Sequence, residues 1–151
     1  MALVYFYGSI TVVIIAFSIF VLKKTITFKH IIIYISGIGY SLLYETVFGE
    51  YAGLYHYINK SDSLFYIIVS GVLLYPVIDA IYALFLPEKV KPAILYTIIW
   101  LALMMASELF SLYTKTIVFT GWKLLPWSIV TYVFTFIWIN LLFRYMKKRG
   151  L

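Results

Sequence analysis

Five long apolar stretches alternate with short polar ones along the chain. The first runs from Ala2 to Leu22 and stops at Lys23 and Lys24. The second, Ile31 to Gly49, lies between Lys29-His30 and a polar segment that extends from Glu50 to Ser63. The third, Leu64 to Leu86, stops at Pro87-Glu88-Lys89. The fourth starts at Pro92, a residue suited to a first helical turn, and continues through Tyr113. The fifth runs from about Pro126 to Phe143 and ends among Arg144, Lys147, Lys148 and Arg149. About 20 apolar residues in a helix cover the ~30 Å hydrocarbon core of a bilayer, so each stretch is long enough to cross. The runs are continuously apolar, unlike the alternating ten-residue segments of a barrel, and they predict helices. The expected fold is all-α: one polytopic membrane domain over residues 1–151, with helices near 2–22, 31–49, 64–86, 92–113 and 126–143.

Composition agrees with this pattern. Of 151 residues, 64% are apolar and only 12% charged, against roughly 45–50% and about 25% in a soluble domain. Five spans of ~20 residues use about two thirds of such a chain and leave no room for a soluble catalytic domain. Cysteine is absent, which excludes disulfides, thiolate-bound zinc and thiol catalysis. Positive charge follows the first apolar run instead of preceding it, opposite to a cleaved signal peptide.

The net charge of +6 lies in the connections, where it reads as an orientation signal and not as a nucleic-acid surface. Lys23, Lys24, Lys29, Lys89, Lys91, Arg144, Lys147, Lys148 and Arg149 fall on one side, and Lys60, Lys115 and Lys123 on the other. The positive-inside rule then puts the N-terminus outside and the C-terminus in the cytoplasm, with the plasma (inner) membrane as the expected location. Tyr5, Tyr7, Tyr51, Tyr55, Tyr57, Tyr113, Trp122 and Trp127 gather near the outer interface, where amphipathic rings anchor at headgroup level.

Three of the six acids, Glu45, Asp79 and Glu108, interrupt apolar stretches. An ionised group at the centre of a bilayer costs ~2.5–3.5 kcal/mol on insertion scales, so each needs a reason. Glu45 and Glu108 fall near the outer ends of two outward-running helices and are expected at similar depth. Either they face one cavity, where at least one carboxyl stays protonated and donates, or each reaches water or a lysine such as Lys115 or Lys123. Asp79 lies in the inner half of the third span, three residues after Pro76, whose missing N–H frees a carbonyl near Val72 and favours a kink. Such a kink beside an acid suits a ligand site, or a packing defect with Asp79 bonded to a hydroxyl. Asn140 reads as interhelical glue. His56 is the histidine near the acids. Glu45, Glu50 and His56 carry metal-binding atom types but lack HExxH spacing, and no metal is assigned. Gly49 with Gly53, Gly37 with Ser41, and Ala102 with Ala106 give small-residue pairs for close helix packing, in the bundle or between copies. The chain has no phosphate-binding glycine loop and no GxSxG. Placing Glu45 over Glu108 brings Gly53-Leu54-Tyr55 near Gly121-Trp122-Lys123, a loose internal echo that would make the two acids counterparts around one outer cavity.

Glu108, Trp122-Lys123, Pro126, Tyr132 and the basic end resemble a family of small multi-pass membrane proteins from endospore-forming bacteria that has no established activity. That resemblance covers the last two thirds of the chain and implies a polytopic plasma-membrane protein. Glu45, Gly53-Leu54-Tyr55-His56-Tyr57 and Pro76-Val77-Ile78-Asp79 resemble the membrane carotenoid (lycopene) cyclase domain, with Tyr55 in place of a tryptophan and one acid in place of two. This second likeness implies a proton-donor role for Asp79 or Glu45 and a long apolar ligand between the helices. The expected function is binding of a lipid-like or amphipathic small molecule in an aromatic-lined cavity by Glu45, Glu108, Asp79, His56 and Trp122, as binder, sensor or accessory subunit. Alternatives are an acid-catalysed isoprenoid cyclase and a structural subunit of a larger membrane complex. The expected partners are the bilayer, a lipophilic small molecule, and a membrane protein or second copy; no cofactor and no nucleic acid are expected.

Overall fold

The computed structural model describes residues 1–150, is 79% helical, and contains five helical segments long and apolar enough to cross a membrane. In chain order these are α1 (Ala2–Lys23); α2 (Phe28–Glu45), which widens into a π-helical turn over Thr46–Tyr51; α3 (Ser63–Leu73) followed by α4 (Tyr75–Leu84); α5 (Val90–Tyr113); and α6 (Ile129–Lys148). The expected all-α class needs one correction. The connections after α2 and after α5 each contain a three-residue strand, β1 (Tyr55–Tyr57) and β2 (Ile117–Phe119), paired antiparallel with Tyr55 opposite Phe119 and Tyr57 opposite Ile117. Both loops emerge at the same end of the bundle, where backbone groups no longer have helical partners and must find others. The Leu54 carbonyl accepts from the N–H groups of Thr120, Gly121 and Trp122, each at 2.9 Å, and the Ile58 N–H donates to the Thr116 carbonyl at 3.0 Å. Ile58 (φ 42°) and Lys115 (φ 59°) take the left-handed conformation, turning both chains away where the ladder stops. These loops form a cap on one end of the bundle.

Several helix boundaries differ from the sequence reading, and three of the differences have a clear local reason. The second helix starts at Phe28 instead of Ile31 because the Thr27 N–H donates to His30 Nδ1 at 3.0 Å, a capping arrangement that draws the helix start back to Thr27. The third span is two helices. Leu74 (φ −100°, ψ −69°) breaks the line just before Pro76, and the Val72 carbonyl left free by the proline accepts from the Tyr34 hydroxyl at 3.1 Å. The last helix starts at Ile129, not Pro126, and runs on to Lys148. A proline disfavours helical backbone in the residue before it, and Leu125 is accordingly extended (φ −112°, ψ 128°), so Leu124–Ser128 form a bent lead-in.

The third span is the axis of the bundle. Half of its most apolar window is buried, against 11% for the first and fourth spans, and α4 touches α1, α2, α3 and α6. Side chains outside the contacts reverse the order of a soluble protein: Ile94, Leu95, Ile98 and Phe134 face outward, while His30, Ser41, Glu45, Ser70, Asp79, Glu108 and Ser128 are buried. Ala102 and Ala106 are also exposed. Gly37, by contrast, does lie at an interface, and Ser41 is buried against the cleft. A Cβ on Gly37 would meet Asp79 Oδ2 at 2.9 Å and the Pro76 backbone at 3.3 Å, so α2 approaches α4 closely only because position 37 has no side chain.

Gly39, two residues away on the same helix, has open space around it. Gly37→Ala is expected to lower stability by about 1–3 kcal/mol through overpacking, whereas Gly39→Ala is expected to be neutral or to stabilise by up to ~1 kcal/mol through lost backbone freedom. Thermal melts of the two variants in the same detergent test this opposite response.

Candidate functional site

At the capped end, α2, α4, α5 and α6 enclose a cleft roofed by β1, β2 and Trp122. Its unfilled space is about 760 Å³, counting the part open to the outside. Glu45, Asp79 and Glu108, from three different helices, all line it, as does Trp122. His56 does not. Alternation along β1 turns Tyr55 and Tyr57 into the bundle and His56 onto the opposite face, and the other conjectured metal donor, Glu50, is exposed. Among the described residues no group of three or more histidine, aspartate or glutamate side chains is placed to hold a metal ion.

Glu45 is fully engaged. Its Oε1 accepts from the Tyr57 hydroxyl at 2.6 Å and its Oε2 from Ser70 Oγ at 3.0 Å. The Tyr57 hydroxyl also lies 3.0 Å from that of Tyr75, and the Tyr57 N–H donates to Ser63 Oγ at 3.2 Å. Burial, then the adjacent Glu45 carboxylate, push the Tyr57 phenol well above its ordinary range, so it remains a protonated donor. Burial likewise raises the neighbouring Tyr55 phenol.

Glu108 is half engaged. Ser128 Oγ donates to its Oε1 at 2.6 Å and accepts from Trp122 Nε1 at 3.0 Å, a relay that fixes the indole at the roof. Its second oxygen, Oε2, is buried and makes no hydrogen bond, with the Tyr132 phenol beside the carboxyl. Asp79 is 5% exposed, and no hydrogen bond from the described residues reaches its carboxyl. Neither Lys115 nor Lys123 reaches the acids; the alternative in which lysines neutralise Glu45 and Glu108 does not describe this structure, because both lysines are exposed and hydroxyl groups take the carboxylate oxygens.

The wall is aromatic. Tyr40, Tyr44, Tyr55, Tyr57, Tyr75 and Tyr132 line the cleft together with Trp122 and Phe136, and no lysine, arginine or histidine does. Tyr44 bonds to Thr131 Oγ1 at 2.5 Å across α2 and α6, and its ring meets Phe48 and Trp122. Below the cleft, Ile33, Tyr82, Met104, Phe136 and Ile139 form a packed floor. Beyond that floor, Asn140 Nδ2 donates to the Tyr82 hydroxyl at 3.0 Å and Arg144 Nε donates to Asn140 Oδ1 at 2.7 Å. Asn140 therefore joins α6 to α4, as expected of interhelical glue. Arg144 also donates to the carbonyls of Pro87 and Glu88, and Lys147 pairs with Glu88, whose exposed carboxyl it holds below the usual range.

Sequence reasoning singled out the acids but missed their donors. Tyr55 and Tyr57 read as interfacial anchors, yet they are 7% and 2% exposed, whereas Tyr51, Tyr113 and Trp127 do stand outside. The alternating Tyr55-His56-Tyr57, ten to twelve residues after an intramembrane acid, is the signal that could have marked them as inward-facing. Ser70 and Ser128 carry no local signal.

Tyr57→Phe removes one donor from a buried carboxyl and keeps the ring, and is expected to destabilise the protein by about 1–3 kcal/mol. Tyr51→Phe, on an exposed ring, is expected to change stability by less than ~0.5 kcal/mol. The difference is read from paired thermal melts. Comparison of the chain with protein-family models, curated proteins and solved structures yields no match, so the site is read from its own residues.

Proposed function

We propose that the chain is a multi-pass plasma-membrane protein that binds a lipid-like or amphipathic small molecule in the aromatic-walled cleft, serving as a binder, sensor or accessory subunit. One observation carries this reading: carboxyl groups from three helices line a single cleft, and two of them, Asp79 and Glu108, keep oxygen atoms without donors. A buried acceptor left unpaired costs free energy that a ligand can recover. An apolar cleft with a few convergent polar groups is the usual form of a small-molecule site.

The membrane setting is supported by the apolar outer surface and the polar interior. Orientation is supported by charge: Lys24, Lys29, Arg144 and Lys147 gather at the end opposite the cap, which makes that end cytoplasmic and the cap external under the positive-inside rule. The cleft then opens near the outer face. The cyclase-like reading uses the same site, and Asp79 favours it as an acid that no neighbour holds; recovery of a cyclic isoprenoid from the cleft would select it.

Native mass spectrometry of protein purified in mild detergent, with organic extraction of anything bound, tests the proposal. A stoichiometric lipophilic molecule is expected on the wild type and a reduction of at least tenfold on Asp79→Asn/Glu108→Gln. A wild type that is empty, or that carries the same load as the variant, would overturn it and favour a subunit docked on another membrane protein.

A further inference from the structure

The way the chain treats its three acids differs, and the difference specifies a ligand. Glu45 shows what a structural carboxyl looks like in this bundle: each oxygen has its own donor, Tyr57 or Ser70. Glu108 and Asp79 do not conform. Both are more than nine-tenths buried, at 7% and 5% exposure, and both line the cleft; Glu108 Oε2 makes no hydrogen bond of good geometry although the Tyr132 phenol lies beside the carboxyl, and no hydrogen bond reaches the Asp79 carboxyl. Each of these acids can carry its negative charge at this depth only beside a positive partner; without one it holds a proton. No basic side chain lines the cleft, so the partner that would let these acids ionise can come only with a ligand.

The surroundings restrict what kind of cation fits. A bare metal ion is usually held by several carboxylate or imidazole groups converging on one point, and no group of three or more histidine, aspartate or glutamate side chains does so among the described residues. The two open carboxyls come from different helices, α4 and α5. Tyr75 reaches the level of Glu45 through its contact with Tyr57, and Asp79 follows it by four residues on α4, about 6 Å further from the cap. The wall that these acids share is aromatic, from Tyr44, Tyr132, Trp122 and Phe136, and ring faces attract a diffuse cation without demanding hydrogen-bond geometry. An alkylated ammonium head satisfies both features.

Resting on the proposed binding function, we infer that the cleft selects an organic cation: an amphipathic amine or quaternary ammonium whose head sits between Asp79 and Glu108 and whose chain lies along the rings. Neutral and anionic amphiphiles of the same length lack the charge that these carboxyls call for.

The test is calorimetric titration of the full chain in nanodiscs, with empty nanodiscs of the same lipid as baseline. The ligands are decyltrimethylammonium, decan-1-ol and decanoate. The cation is expected to bind at least tenfold more tightly than the alcohol, with decanoate weaker still. Asp79→Asn/Glu108→Gln is expected to lose at least tenfold in cation affinity while keeping its affinity for decan-1-ol, which shows that the variant cleft is intact. Equal binding of cation and alcohol to the wild type, or unchanged cation affinity in the variant, overturns the inference and leaves the binding function standing. Absence of binding by all three overturns both.

Discussion

The carboxyl group of Glu45 ties together the parts that make the cleft. Tyr57 brings β1 to one of its oxygens and Ser70 brings α3 to the other, so a single side chain at the end of α2 joins two helices and the cap. In a bilayer the surrounding lipid is as apolar as leucine, and helices gain nothing from burying apolar faces against one another; close packing and interhelical hydrogen bonds have to hold them. The chain provides both around this point. Gly37 lets α2 lie against α4, while Tyr57, Tyr75 and Ser63 extend the Glu45 contacts into a connected set.

Once the cap is fixed, the break in the third span determines what the cleft contains. Leu74 and Pro76 reset the direction of the helix, and the Tyr34 hydroxyl takes up the Val72 carbonyl that the proline leaves free. Downstream of the break, Tyr75 and Asp79 lie one turn apart and both face the cleft. The bent lead-in to α6 performs the matching task on the other side, delivering Ser128 to Glu108 and to the Trp122 indole. Tyr82, Met104 and Phe136 pack together at the floor of the cleft.

How much of this was legible in the sequence follows from the range of each interaction. Long apolar runs are a local property, and the five helices appear close to where hydropathy puts them. The freed carbonyl near Val72 was readable too, because it follows from one proline and the helical hydrogen-bond pattern. The capping of α2 by His30 was equally local but is a less common form than Ser-x-x-Glu. The cap was not legible: β1 and β2 are only three residues each and lie 60 residues apart, so neither carries a pattern of its own. The acids were found because charge in an apolar run is conspicuous, whereas tyrosines near an interface look the same whether they anchor, as Tyr51 does, or point inward, as Tyr57 does. His56 shows the converse, a chemically suggestive side chain that strand alternation turns away from the site.

Photolabelling with a diazirine-bearing alkyl amphiphile, followed by peptide mapping of the full chain in lipid, tests most directly whether this cleft receives a ligand. The account predicts saturable labelling of cleft-wall positions such as Tyr40, Met104 and Phe136, suppressed by excess unlabelled amphiphile, over a nonsaturable background on outward-facing positions such as Ile94 and Ile98. Labelling confined to the outward positions, with no component that competitor removes, would contradict it.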